Sequence, residues 1–143
     1  MANITKKIVI DAPLEGVFSY ASQWQNWVDF FEGAGSFEPT TKVTRGNGAR
    51  YAYKAKMIGL KVAAELEIKD FIENKGWCAL GTKGVSNRIN WEFAKDNNTT
   101  EITYTLEYKV PIPILGALLD RLFIKKQWEG IIERSLSNLK ARF

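Results

Sequence analysis

A chain of 143 residues, 45% of them hydrophobic, is long enough to bury a core and too apolar for disorder to be its default state. Twenty basic residues against sixteen acidic ones give a net charge of +4, and the absence of histidine removes His-assisted triads, His-containing metal sites and the usual neutral-pH general base. The single cysteine, Cys78, excludes an internal disulfide framework and agrees with a reducing compartment.

The opening residues, MANITKKIVIDAP, alternate charged and apolar side chains instead of building a signal-peptide core. The most apolar stretch, 110–119, is short and broken by two prolines and a glycine, so it does not read as a membrane span. A soluble, cytoplasmic protein is the expectation. Residues 4–10 form a β-branched run suited to a strand. Pro13 then supplies a φ suited to a first helical turn, with Leu14, Val17 and Phe18 following at spacings of three and four. Ser22 is placed to cap a second short helix carrying Trp24, Trp27, Val28, Phe30 and Phe31, closed by Gly33.

Beyond Gly33 the period changes to two. Tyr51, Tyr53, Ala55 and Met57 share one phase, as do Val62, Ala64, Leu66 and Ile68 after a tight connection through Ile58, Gly59 and Leu60. Ile89, Trp91 and Phe93 repeat the pattern, and so do Ile102, Tyr104, Leu106 and Tyr108. Each run marks a strand with one buried and one solvated face. Turn chemistry separates them: RGNG at 45–48, ENKG at 73–76 and DNNT at 96–99 all tolerate positive φ. Six antiparallel strands are predicted near 36–44, 49–58, 60–72, 75–83, 87–95 and 100–110. Gly81 and Gly84 mark a bulge or bend.

PIP at 111–113 ends the sheet, and a long helix is predicted from about 114 to 142. Its second half carries a single apolar stripe through Ile124, Trp128, Ile131, Ile132, Leu136 and Leu139. In its first half Leu115, Leu118, Leu119, Leu122 and Phe123 spread around much of the circumference, and must be covered on several sides or face a ligand or partner. Residues 114–143 hold six basic against three acidic residues, which suits a helix C-terminus and also an anionic partner. With no repeat, low-complexity tract or linker, one domain spanning 1–143 is expected.

A sheet with one apolar face must cover it, and only the terminal helix is long enough. The first strand is free to pair beside the last, completing a seven-stranded α+β arrangement in which a curved sheet wraps the helix. Where the bent sheet diverges from the straight helix, a wedge-shaped cavity opens, and the two short helices plug one end. The segment IVIDAPLEGVF at 8–18, Trp27 beyond it, the glycine-led strand GARYAY at 48–53 and the long terminal helix together carry a resemblance to a known group. The chain resembles the SRPBCC/START-like helix-grip superfamily, which includes START domains, Bet v 1-like plant proteins, and bacterial polyketide cyclase/dehydrase-like and coenzyme Q-binding proteins.

That resemblance implies binding, or transport, of a hydrophobic or amphipathic small molecule such as a lipid, isoprenoid, quinone or polyketide. The expected ligand-binding set is Tyr51, Tyr53, Met57, Trp91, Tyr104 and Tyr108 from the sheet, with Leu115, Leu119, Leu122 and Phe123 from the helix. A polyketide cyclase/dehydrase- or hydrolase-like enzyme using the same cavity is the alternative. No strand places a carboxylate on its apolar phase, however, so no catalytic residue, metal or cofactor is named. A third reading is an interaction module for the ribosome, a respiratory component or a membrane surface. Lys125 and Lys126 just after the apolar helix start suit anionic headgroups and a transient membrane contact. Nucleic acid is the weaker partner, because no aromatic ladder accompanies the basic strip. The oligomeric state is left open.

Overall fold

The computed structural model describes residues 2–57, 60–109 and 117–143. Strand β1 (Ala2–Ile10) leads into helices α1 (Leu14–Ala21) and α2 (Trp24–Phe30). Strands β2 (Ala34–Pro39), β3 (Arg50–Met57), β4 (Leu60–Ile72), β5 (Gly76–Lys83), β6 (Asn87–Asp96) and β7 (Thr99–Tyr108) follow, and then helix α3 (Ala117–Ala141). One antiparallel sheet holds all seven strands in the order β1-β7-β6-β5-β4-β3-β2. The first strand does pair beside the last, with Ile4 opposite Leu106 and Ile8 opposite Ile102. This is the helix-grip architecture expected from the element order.

Three irregularities bend the sheet. An extra residue enters β2 between Gly35 and Glu38, where Ser36 takes a φ of 27°. Another enters β4 between Lys69 and Ile72, where Asp70 has a φ of 53°. In β5 the partner of Glu65 is Lys83 while that of Leu66 is Gly81, so Thr82 is the bulged residue. Bulges raise local twist and let a sheet curl. The third one lies at Gly81 and Gly84, where the sequence placed a bend.

Close backbone approach dictates glycine at Gly76, Gly81 and Gly84. Gly76 opens β5 with a φ of 152°, and a Cβ there would sit 1.9 Å from the Trp91 carbonyl oxygen. Gly84 has a φ of 80°, and a Cβ there would lie 2.2 Å from the Ala63 carbonyl oxygen.

The inner face of the sheet packs against α1, α2 and α3. Phe18 of α1 is fully buried and meets Phe71, Trp77 and Phe93 at ring separations of 5.7, 5.6 and 5.0 Å. Trp27 of α2 is held by its indole N–H, which donates to the Ala21 carbonyl at 2.8 Å. Helix α3 buries Ile124, Ile132, Ser135, Leu136 and Leu139. Its outer flank is tied to β1 by Lys6, which reaches Glu133 at 2.8 Å and Glu129 at 3.3 Å. Those hydrogen bonds raise the Lys6 pKa and lower that of Glu133, although both groups are solvent-screened.

Some boundaries differ from the sequence reading. β2 stops at Pro39 instead of continuing to 44, because the chain leaves the β2–β3 pair to bond elsewhere. Gly48 N–H donates to the Ile68 carbonyl, and the Asn47 side-chain oxygen accepts from Phe71 N–H at 2.8 Å, so 40–49 folds over the end of β4. Ser22 does not cap α2. It ends α1, its hydroxyl donating back to the Ser19 carbonyl while Arg45 donates to it at 3.0 Å. α2 ends at Phe30, and Gly33, at a φ of 82°, serves the turn into β2 instead. The tight connection at 58–59, PIP at 111–113 and the first residues of the predicted terminal helix lie outside the described residues.

Replacing Gly76 by alanine should destabilise the protein by about 3 kcal/mol or more, because backbone and not a yielding side chain opposes the new methyl group. A denaturant titration would show the midpoint fall, and an unchanged midpoint would contradict the close approach.

Candidate ligand cavity

Between the curved inner face and α3 lies an apolar cavity of about 80 Å³. Its floor comes from facing strands. Trp77 and Trp91 are direct partners across β5 and β6 and stack at 5.3 Å. Trp91 in turn faces Tyr104 across β6 and β7, edge to face at 4.9 Å. Ala55, Leu66, Ala79 and Ile89 fill the spaces between these rings. Trp27, Phe31 and Phe37 close the α2–β2 side, while Trp128 and Ile131 of α3 form the roof.

Polar groups in this wall are few. The Trp27 N–H is taken by the Ala21 carbonyl. Tyr53 is partly buried with Asn87 beside its hydroxyl, and burial pushes its pKa up to about 12, with the Asn87 hydrogen bond opposing. Tyr104 is 3% exposed. Burial and then the neighbouring Tyr53 push its pKa far up. Both phenols therefore stay protonated, neutral donors at ordinary pH.

Among the described residues, Glu32 is the charged residue lining the cavity. Arg134 of α3 pairs with its carboxylate, and its backbone N–H donates to the buried Ser135 hydroxyl at 2.9 Å. Asn138 donates to the Phe30 carbonyl at 3.3 Å. The corner between α2 and β2 is thus fastened to the second half of α3.

Of the residues singled out from sequence, Tyr53, Trp91 and Tyr104 line this cavity. Tyr51 is in the core but elsewhere. Its hydroxyl donates to the Thr44 carbonyl at 2.5 Å, holding the 40–49 loop, and its ring borders a void of about 10 Å³ with Ser22, Ile68 and Phe71. Tyr108 is buried next to Trp128, with ring centres 6.2 Å apart, and its hydroxyl has no hydrogen-bond partner among the described residues. Leu122 and Phe123 do not form the opposite wall. They are 60% and 56% exposed, because α3 presents Trp128 and Ile131, a turn or two further on, to the cavity. Leu115 and the side chains of Met57 and Leu119 lie outside the described residues.

Asn87 was missed from sequence, yet it carried a signal: it is the polar member of the phase Asn87, Ile89, Trp91 and Phe93. A Cβ at Gly81 would fall 2.2 Å from the Val85 carbonyl oxygen and 2.5 Å from the Asn87 side-chain oxygen, so the glycine makes room for both. Trp77 and Ala79 were in phase on β5 and only needed its register. Cys78, between them on the other face, is 2% exposed, and burial raises its pKa, so its thiol is not an activated nucleophile.

A seven-stranded curved sheet gripping a C-terminal helix around an apolar cavity defines an SRPBCC/START-like helix-grip protein. The chain belongs to the polyketide cyclase/dehydrase and lipid transport family, whose model matches residues 1–143. No curated protein matches it. Among solved structures, TTHA0849 from Thermus thermophilus is similar with a TM-score of 0.84 and 24% identity, over 99% of this chain and 96% of that one. A START superfamily protein from Mycobacterium smegmatis is similar with a TM-score of 0.79 and 14% identity, over 98% and 95%. A conserved protein from Geobacillus kaustophilus gives 0.77 and 16%, over 99% and 94%. These likenesses establish the shared fold.

Tyr51 and Tyr53, both raised to about 12 by burial, add to the pH dependence of stability. Their folded pKa values exceed the ordinary 10, so the contribution is whole below pH 10 and is lost as pH rises through about 12. In an alkaline titration, tyrosinate absorbance from these residues should appear together with loss of the folded circular-dichroism signal. Full ionisation of all tyrosines in a still-folded protein near pH 10 would contradict it.

Proposed function

We propose that this chain binds an uncharged, apolar or amphipathic small molecule between its sheet and α3, as a carrier or holder. The observation that carries this reading is the wall itself: aromatic and aliphatic side chains enclose the cavity, with the buried, neutral phenols of Tyr53 and Tyr104 among them. Pockets of this kind take up ligands by apolar burial and orient them with a few polar groups. The ligand should be uncharged because no cation stands in the described wall, and its one carboxylate is already paired with Arg134. A volume of about 80 Å³ suits a ring-sized group, so a longer molecule would have to displace part of the roof or rim.

The enzyme reading would need an acid or base against the ligand. The phenols of Tyr53 and Tyr104 are the acid groups facing inward in the described wall, and burial moves both away from neutrality. This favours binding over proton transfer.

Native mass spectrometry of purified protein, followed by extraction and identification, should reveal a bound apolar molecule. Displacement of a fluorescent apolar probe would then measure affinity. Tyr104→Phe should weaken binding of a ligand bearing a carbonyl or hydroxyl by roughly three- to tenfold while leaving a pure hydrocarbon unaffected. Ala79→Leu should fill the cavity, abolish probe binding and leave thermal stability equal or higher. If the Ala79→Leu protein still binds the probe with unchanged affinity, the ligand lies elsewhere and the proposal fails.

A further inference from the structure

The outer surface of α3 carries a feature that the cavity does not use. Leu122 and Phe123 are the two most exposed large apolar side chains among the described residues of this helix, at 60% and 56%, and they are adjacent. Lys125 and Lys126 follow them and are exposed. At 100° per residue, Leu122, Phe123 and Lys126 fall on the side of the helix away from the buried Ile124, Ile132 and Leu139. Lys126 has no ion-pair partner among the described residues, and the next two carboxylates of the helix, Glu129 and Glu133, are held by Lys6 of β1. An apolar pair and a cation therefore share one exposed face of the helix, about one turn before Trp128 at the roof of the cavity.

We propose that this face of α3 docks on an anionic lipid bilayer, with Leu122 and Phe123 entering the headgroup boundary and Lys126 pairing with a lipid phosphate. Charge decides between this occupant and others. In a twofold contact with a second copy, Lys126 of one chain would be brought toward Lys126 of the other. Two apolar side chains also give far less area than a stable dimer buries. A bilayer takes both parts of the face at once, since each cation near an anionic surface and each buried methylene adds to partitioning. No helix among the described residues is long and apolar enough to cross a membrane, so the contact is peripheral. Docking stands apart from the cavity reading, and either can hold without the other.

The full chain would be sedimented with vesicles of phosphatidylcholine alone and of phosphatidylcholine mixed with phosphatidylglycerol, at low and at raised salt. The expected result is binding to the mixed vesicles only, weakened by salt. Lys126→Gln should reduce the partition constant about fivefold, and Phe123→Gln roughly tenfold. Both positions are exposed, so circular dichroism and thermal unfolding should remain those of the parent protein. The proposal is overturned if the mixed vesicles bind no better than the neutral ones, or if the variants sediment like the parent. It is equally overturned if Phe123→Gln abolishes a concentration-dependent dimer in place of vesicle binding, or if Lys126→Gln loses binding to RNA but not to vesicles.

Discussion

Trp91 touches Trp77 on one neighbouring strand and Tyr104 on the other, and this row of three rings is the surface around which everything else is arranged. Rings of that size keep α3 at a distance from the centre of the sheet. Bulges in β2, β4 and β5 then curl the sheet edges, so the helix is met at its second half while space remains over the rings. A flat sheet with smaller side chains would have closed directly onto the helix. The cavity is thus a product of large rings in the middle and bent backbone at the margins, and needs no special ligand-shaped loop.

Two glycines show how tightly the margins are drawn. At Gly76 the β4–β5 turn runs against the Trp91 carbonyl, and at Gly84 the β5–β6 turn runs against that of Ala63. Each lets backbone of one strand connection press onto another strand, which sets where β5 begins and ends. Since β5 contributes Trp77 and Ala79 to the floor, these turns also decide how the floor is positioned.

Much of the fold was legible because alternation with period two is hard to disguise. Tyr51, Tyr53 and Ala55, or Ile102 through Tyr108, fall on the inner face as their phase requires. Strand ends were less legible. β2 stops early because Asn47 and Gly48 find partners on β4, a long-range preference absent from local sequence. The same limit applies to the site. Phase shows that Tyr51 and Tyr53 both point inward, but only the path of the 40–49 loop turns one phenol into a structural tie and leaves the other facing the cavity. Leu122 and Phe123 were placed on the wall for their apolar character, whereas the register of α3 assigns that place to Trp128 and Ile131.

The protonated phenols have a consequence in terms of proton inventory. The chain has no histidine, and burial pushes the phenols of Tyr53 and Tyr104 well above their ordinary range. Were an uncharged guest to meet these phenols around neutrality, neither would have to take up or release a proton. By linkage, the phenols would then add no pH dependence to occupancy in that range. On the carrier reading, loading and unloading would follow the concentration of the guest, and these two phenols would give mild acidity no hold on its release.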